Sequence, residues 1–140
     1  MGFWGRKKVL VTGGAGFVGS HLVDALVEKQ ANITVVDNLE RGKLSYLEKS
    51  LGAIRFVRAD LKDREVCRTV TAGMDVVMNL AAKVAGIEYN RSHHGDMFTS
   101  NMTLASNVLE AARVNGVPRY LCVSTACIYP HDAIVPTPES

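Results

Sequence analysis

The sequence predicts an α/β fold, a doubly wound parallel sheet of about five strands with helices on both faces. Two observations carry this. Short apolar runs of strand length alternate with helix-period stretches five times along the chain, the pattern of parallel strands joined by helical crossovers. The first run leads directly into a glycine-rich turn and then a helix. The composition allows such a core: 140 residues with 47% apolar and 21% charged content describe one ordinary globular domain rather than a disordered chain.

The elements follow in order. Val9, Leu10 and Val11 make the first strand, about residues 7–12, an apolar run suited to burial on both faces. Phe17, Val18, Leu22, Ala25 and Leu26 recur at helical spacing, so a helix is expected from Phe17 to Gln30. A second strand covers 32–37. Asn38 to Lys43 is polar, contains Gly42 and reads as a loop, and a short helical segment from Leu44 to Leu51 follows. Ile54 to Arg58 is the third strand, Glu65 to Ala72 a helix, and Asp75 to Leu80 the fourth strand. Residues 83–96 read as a long polar loop. The longest helix is expected from Met97 to Asn115, ended by Gly116 and Pro118, with Phe98, Met102, Ala105, Leu109 and Ala112 as its buried stripe. Arg119 to Ser124 is the fifth strand. A fifth strand left at the edge of the sheet would invite association.

The turn carries the chemistry. Gly13, Gly14, Gly16 and Gly19 stand between strand and helix. Glycines there allow a sharp reversal, close approach of a pyrophosphate, and tight packing of helix on strand. The amides and positive dipole end of the helix attract phosphate. Asp37 ends the next strand, 18 positions after Gly19. A carboxylate there can accept from both ribose hydroxyls of NAD and repels the 2′-phosphate of NADP, so NAD is the expected cofactor. The alternative is a glycine-rich turn that binds nothing. Asp60 lies just past a strand end, where ligands gather in open parallel sheets, and is either an adenine contact or the N-cap of the next helix, a place in which Asp63 would serve as well. Arg41 is either close to the adenosine or a solvated surface arginine. Asn101 either bonds neighbouring backbone and holds the site's shape or lies on the surface.

Other classes are disfavoured. The net charge is +2 without a basic block, so nucleic acid is not an expected partner. No apolar run approaches a membrane span, and residues 1–8 lack a signal-peptide core. Cys67, Cys122 and Cys127 are an odd set without a C-x-x-C pattern, which suggests reduced thiols and a cytoplasmic setting. His93 and His94 are adjacent, a spacing that does not favour one metal ion, so no metal site is expected.

Taken together, Thr12 to Gly19, Asp37-Asn38, Asp60-Leu61, Asn79 to Ala82, Asn101 and Ser124 to Pro130 form an ordered set. The chain resembles the extended short-chain dehydrogenase/reductases, in particular the NAD-dependent epimerase/dehydratase branch that acts on nucleotide sugars. The resemblance covers about Lys7 to Pro130. It implies a Rossmann-like sheet in which Gly13, Gly16 and Gly19 hold the pyrophosphate, with Phe17 and Val18 beside it. Asp37, with Asn38 next to it, would hold the ribose, and Asp60 and Leu61 would border the adenine. Ala81, Ala82 and Lys83 would line the path to the nicotinamide, while Asn101 and Ser124 complete the cofactor set. Thr125 falls where the family has a catalytic serine or threonine that bonds the sugar oxygen. Cys127 matches members acting on GDP-sugars, in which the cysteine is acid or base in epimerisation; the alternative is a small buried hydrophobe.

The same resemblance implies a nucleotide-sugar substrate and a homodimer for the full-length enzyme. One departure stands out: the family's Tyr-x-x-x-Lys pair does not occur, and Tyr129 is followed four positions on by Ala133. The expectation is therefore residues 1–140 as the amino-terminal NAD-binding part of an epimerase, truncated before the sixth strand and the substrate domain and inactive alone. The alternative is a short non-catalytic dinucleotide-binding module or a subunit that needs a partner.

Overall fold

The computed structural model describes residues 2–125, 128–130 and 132–138. Five strands, β1 (Lys8–Thr12), β2 (Asn32–Asp37), β3 (Ile54–Arg58), β4 (Val76–Asn79) and β5 (Arg119–Cys122), form one parallel sheet in the order β3-β2-β1-β4-β5. The helices are α1 (Phe17–Glu28), α2 (Arg64–Thr71), α3 (Ile87–Ser92) and α4 (His94–Val114). The strand order reverses between β1 and β4, which opens a crevice at the carboxyl ends of the strands, where ligands bind in sheets of this kind. The doubly wound architecture expected from the alternation is present.

Alternation along the strands builds two cores. Val9, Val11, Val35, Val76 and Met78 face α1, joined by Val23 and Leu26. Leu10, Val36 and Val77 face the opposite side and pack with Cys67, Val70, Val108 and Ala111 of α2 and α4. Val9, Leu10 and Val11 are completely buried, so β1 is covered on both faces. The register places Thr12 beside both Val36 and Asn79, which levels the strand ends that frame the crevice.

Four expectations need correction. The first helix ends at Glu28 rather than Gln30, because Gln30 takes a left-handed backbone (φ 60°) and Ala31 N–H turns back to Leu26 O. The single helical segment at Leu44 to Leu51 is two 3₁₀ turns, Leu44–Leu47 and Leu51–Ala53, with Leu47 as the buried anchor. The polar stretch 83–96 is not all loop: α3 occupies Ile87–Ser92, and α4 starts at His94. Its polarity concealed local partners, among them Tyr89 stacked on His93 at 4.0 Å and bonded to Asp96.

The fourth correction concerns the face of α4. Phe98, Met102 and Leu109 are exposed, and Ala105 is half-buried. The inner face carries Ser100, Asn107, Val108, Ala111 and Ala112. Two polar residues can sit there because both have partners: Ser100 bonds Asp96, and Asn107 donates to Leu61 O and Lys62 O.

Candidate functional site

The crevice is built by strand ends. β1 delivers Gly13 and Gly16, β2 delivers Val36, Asp37, Asn38 and Glu40, and β3 delivers Ala59, Asp60, Leu61 and Lys62. Leu80 to Val84 follow β4, and Ser100 and Leu104 close the wall from α4. One groove thus collects Gly13, Gly16, Asp37, Asn38, Asp60, Leu61, Ala81, Ala82 and Lys83 from four separate stretches of chain.

The floor is glycine for steric reasons. Gly13 has φ 66°, and a Cβ there would lie 2.9 Å from Ala81 N and Cα. A Cβ on Gly19 would stand 2.3 Å from Gly13 O and 2.7 Å from Gly14 Cα, so only glycine lets α1 start against this turn. No side chain caps that end of α1, where Gly16 is the N-cap residue. Its first-turn amides are therefore left for solvent or an anion. Phe17 and Val18 are on the outer side, 72% and 65% exposed, and do not line the groove.

A buried polar pair fixes the β1 and β4 ends. Thr12 Oγ1 donates to Asn79 Oδ1 at 2.6 Å and accepts from Ala81 N–H at 3.2 Å. This holds the Ala81 backbone against Gly13. Sequence reasoning did not assign Thr12 or Asn79 a task; a polar residue ending each of two adjacent buried strands was the available signal.

Asp37 is 8% exposed. Its Oδ2 accepts from Ala15 N–H at 3.0 Å and its Oδ1 from Leu39 N–H at 2.8 Å. Each carboxylate oxygen keeps a further acceptor site. Asp60 Oδ1 accepts from Lys62 N–H, and its Oδ2 lies 3.6 Å from Lys62 Nζ. The N-cap of α2 is Asp63, which accepts from Glu65 and Val66 amides, so Asp60 is left on the groove wall.

Lys83 is clamped at its backbone. Its N–H donates to Asn101 Oδ1 at 2.7 Å, and Asn101 Nδ2 donates to Lys83 O at 3.0 Å. Its ammonium meets Asp96 at 2.5 Å, and Tyr89 Oη donates to the same carboxylate oxygen at 3.0 Å. The bond that Lys83 donates to Asp96 raises the Lys83 pKa, and the same bond, followed by that from Tyr89, lowers the pKa of Asp96. Both charges are therefore held through the neutral range.

Other predicted residues lie around the groove. Arg41 is exposed and outside its lining. Ser124 and Thr125 follow β5 and are exposed; Val123 N–H donates to Asn79 O, so they leave the sheet at the same carboxyl edge. Cys127 lies outside the described residues. Among the described residues, no group of three or more His, Cys, Asp or Glu could hold a metal ion, and no helix is long and apolar enough to cross a membrane.

A cradle that any side chain would fill, an uncapped helix start and a carboxylate across the groove fit a dinucleotide. Known proteins agree with this geometry. GDP-mannose 3,5-epimerase of Arabidopsis thaliana is 32% identical over 88% of this chain and 32% of its own. UDP-N-acetyl-alpha-D-glucosaminuronate decarboxylase of Bacillus cytotoxicus is 33% identical over 89% of this chain and 38% of its own. The chain thus spans about a third of the length of such relatives. Among solved structures, an epimerase from Methanothermobacter thermautotrophicus superposes with a TM-score of 0.87 at 34% identity, over 97% of this chain and 40% of that one. UDP-glucose-4-epimerase of Stenotrophomonas maltophila, solved with NAD and formylated UDP-arabinopyranose, gives a TM-score of 0.86 at 29% identity, over 96% and 42%. The model of the NAD dependent epimerase/dehydratase family matches residues 9–140, and the chain belongs to that family.

Proposed function

We propose that this chain is the amino-terminal, NAD-holding part of a nucleotide-sugar epimerase that works by transient oxidation of the sugar. The observation that carries the reading is the placement of Asp37, buried and oriented by two amides, across one groove from Gly13 and Gly16. The glycine turn and the start of α1 bind the pyrophosphate. Asp37, flanked by Asn38, accepts from the adenosine ribose and disfavours NADP through charge repulsion with a 2′-phosphate. Asp60 and Leu61 border the adenine. Ala81 and Ala82 give a flat wall toward the nicotinamide, and Asn101 keeps the Lys83 backbone in place beside it. NAD, when bound, supplies a reversible acceptor for hydrogen from a sugar carbon.

Thr125 bonds the sugar oxygen, and Cys127 exchanges a proton with the carbon next to the oxidised centre. The base that takes the hydroxyl proton is not in this sequence, because no Tyr-x-x-x-Lys occurs. It comes from a longer chain or from a partner. A cytoplasmic setting and a homodimer of the complete enzyme accompany this reading.

Fluorescence titration tests it. NADH is expected to bind more tightly than NADPH, and Asp37→Ala is expected to erase the difference. Incubation with NAD and UDP- or GDP-hexoses is expected to give no turnover from residues 1–140 alone. Absence of binding by either nucleotide, or robust epimerisation by residues 1–140, would overturn the corresponding part.

A further inference from the structure

We infer that Gly42 is a positioning residue for cofactor choice: its missing side chain is the seat that holds the Asp37 carboxylate toward the groove. The inference rests on the proposed dinucleotide site. A Cβ built on Gly42 would lie 2.8 Å from Asp37 Oδ1, 2.9 Å from Asp37 Oδ2 and 2.9 Å from Ala15 Cβ. Real Cβ atoms do not make contacts this short, so something must shift. Gly42 needs no left-handed backbone, and space is its whole contribution.

The surroundings leave the carboxylate little room to yield. Asp37 is tied to Ala15 N–H on one oxygen and to Leu39 N–H on the other. Lys43 N–H donates to Ala15 O at 2.9 Å, so residues on both sides of Gly42 are bound to the same small assembly. Leu39 has φ 61°, which folds the loop back over the strand end. Ala15 is completely buried and cannot retreat. A side chain at position 42 must either rotate the carboxylate off its two amides or lift the loop from the glycine turn. Either movement takes the acceptor atoms away from the ribose and the negative charge away from the 2′ position. Hydrogen bonding to NAD and repulsion of NADP are lost together. Gly42 therefore acts on discrimination and not only on loop stability.

The experiment is a cycle on the full-length protein with wild type, Gly42→Ala, Asp37→Ser and the double variant. NADH and NADPH dissociation constants are measured by fluorescence titration, alongside thermal melting. Gly42→Ala is expected to reduce the preference for NADH over NADPH by about tenfold, a mid-range coupling for residues in contact. In the Asp37→Ser background the same change is expected to leave the preference unaltered. A Gly42→Ala protein that melts normally and keeps the wild-type preference overturns the inference. So does an equal effect in both backgrounds. Should Gly42→Ala fail to fold, the double variant is expected to fold, because two of the three obstructing atoms are then gone; its failure also overturns the inference. If Asp37→Ser alone leaves the preference unchanged, the dinucleotide reading of Asp37 falls first, and the role of Gly42 falls with it.

Discussion

At the residue scale, the site depends on atoms that are missing as much as on those present. Gly19 shows this most sharply. Its neighbours are backbone atoms of the glycine turn itself, and backbone cannot swing aside as a side chain can. Gly19→Ala is expected to destabilise the protein by about 1–3 kcal/mol through overpacking. It is also expected to weaken NADH binding, because the turn must open to admit the methyl group. Urea denaturation and fluorescence titration on the same samples check both parts. The glycine spacing was legible in the sequence because its chemistry is local. The Thr12–Asn79 pair was not: its members are 67 positions apart, and only pairing of β1 with β4 brings them to 2.6 Å.

At the element scale, α2 follows directly on the Asp60 to Lys62 turn that walls the groove. It has only eight residues, so its ends weigh heavily on its stability. Asp63 Oδ1 accepts from Glu65 N–H at 2.8 Å and from Val66 N–H at 3.4 Å. Asp63→Ala is expected to cost about 1 kcal/mol, as for other N-cap losses, read as a lower denaturation midpoint. Asp60→Ala is expected to cost less stability, since Asp60 caps nothing and forms only local bonds to Lys62. The sequence offered both aspartates as caps; the turn between them settled which one was used.

The longest helix, α4, tells the opposite story. Counting apolar residues at helical spacing selects Phe98, Met102 and Leu109, yet these face outward. The inner face includes Asn107, which binds the carbonyls of Leu61 and Lys62 and so ties α4 to the end of β3. Hydrophobic periodicity has no means of finding a face chosen partly by long-range hydrogen bonds.

At the scale of the whole molecule, the face of the sheet that packs on α2 and α4 carries a pH response through Cys67 and Tyr120. Burial, then the charges of Asp63 and Asp60, pushes the Cys67 thiol from 9.0 up to about 11. Burial, then Cys122, pushes the Tyr120 hydroxyl from 10.0 up to about 12. In both cases the folded state holds its proton more tightly than the unfolded chain does. The stability they contribute is complete below about pH 9 and is lost as the pH rises through the folded-state values. Melting temperature is expected to be flat from about pH 7 to 8.5 and to fall above about 9. Cys67→Ala should lower the melting temperature throughout, since the residue is completely buried, while removing the earlier part of the alkaline slope. A slope unchanged in that variant would assign the effect elsewhere.

The sequence by itself determined the fold class, the strand positions, the glycine turn, the acidic residue ending β2 and the family. These features are written in short-range patterns: alternation, turn residues and fixed spacings whose physical meaning is local. Tertiary structure decided which side chains meet. It placed Asp37 against Ala15 and Gly42, Asn101 around the Lys83 backbone, Asp96 on the Lys83 ammonium, and Asn107 rather than Leu109 on the inner face of α4. Apart from Asp37 against Gly42, which depends on how their shared loop folds back, each of these contacts joins separate stretches of the chain or depends on the rotation of a helix about its axis. Packing and the need to satisfy every buried polar group settle both, and neither leaves a periodic trace along the chain.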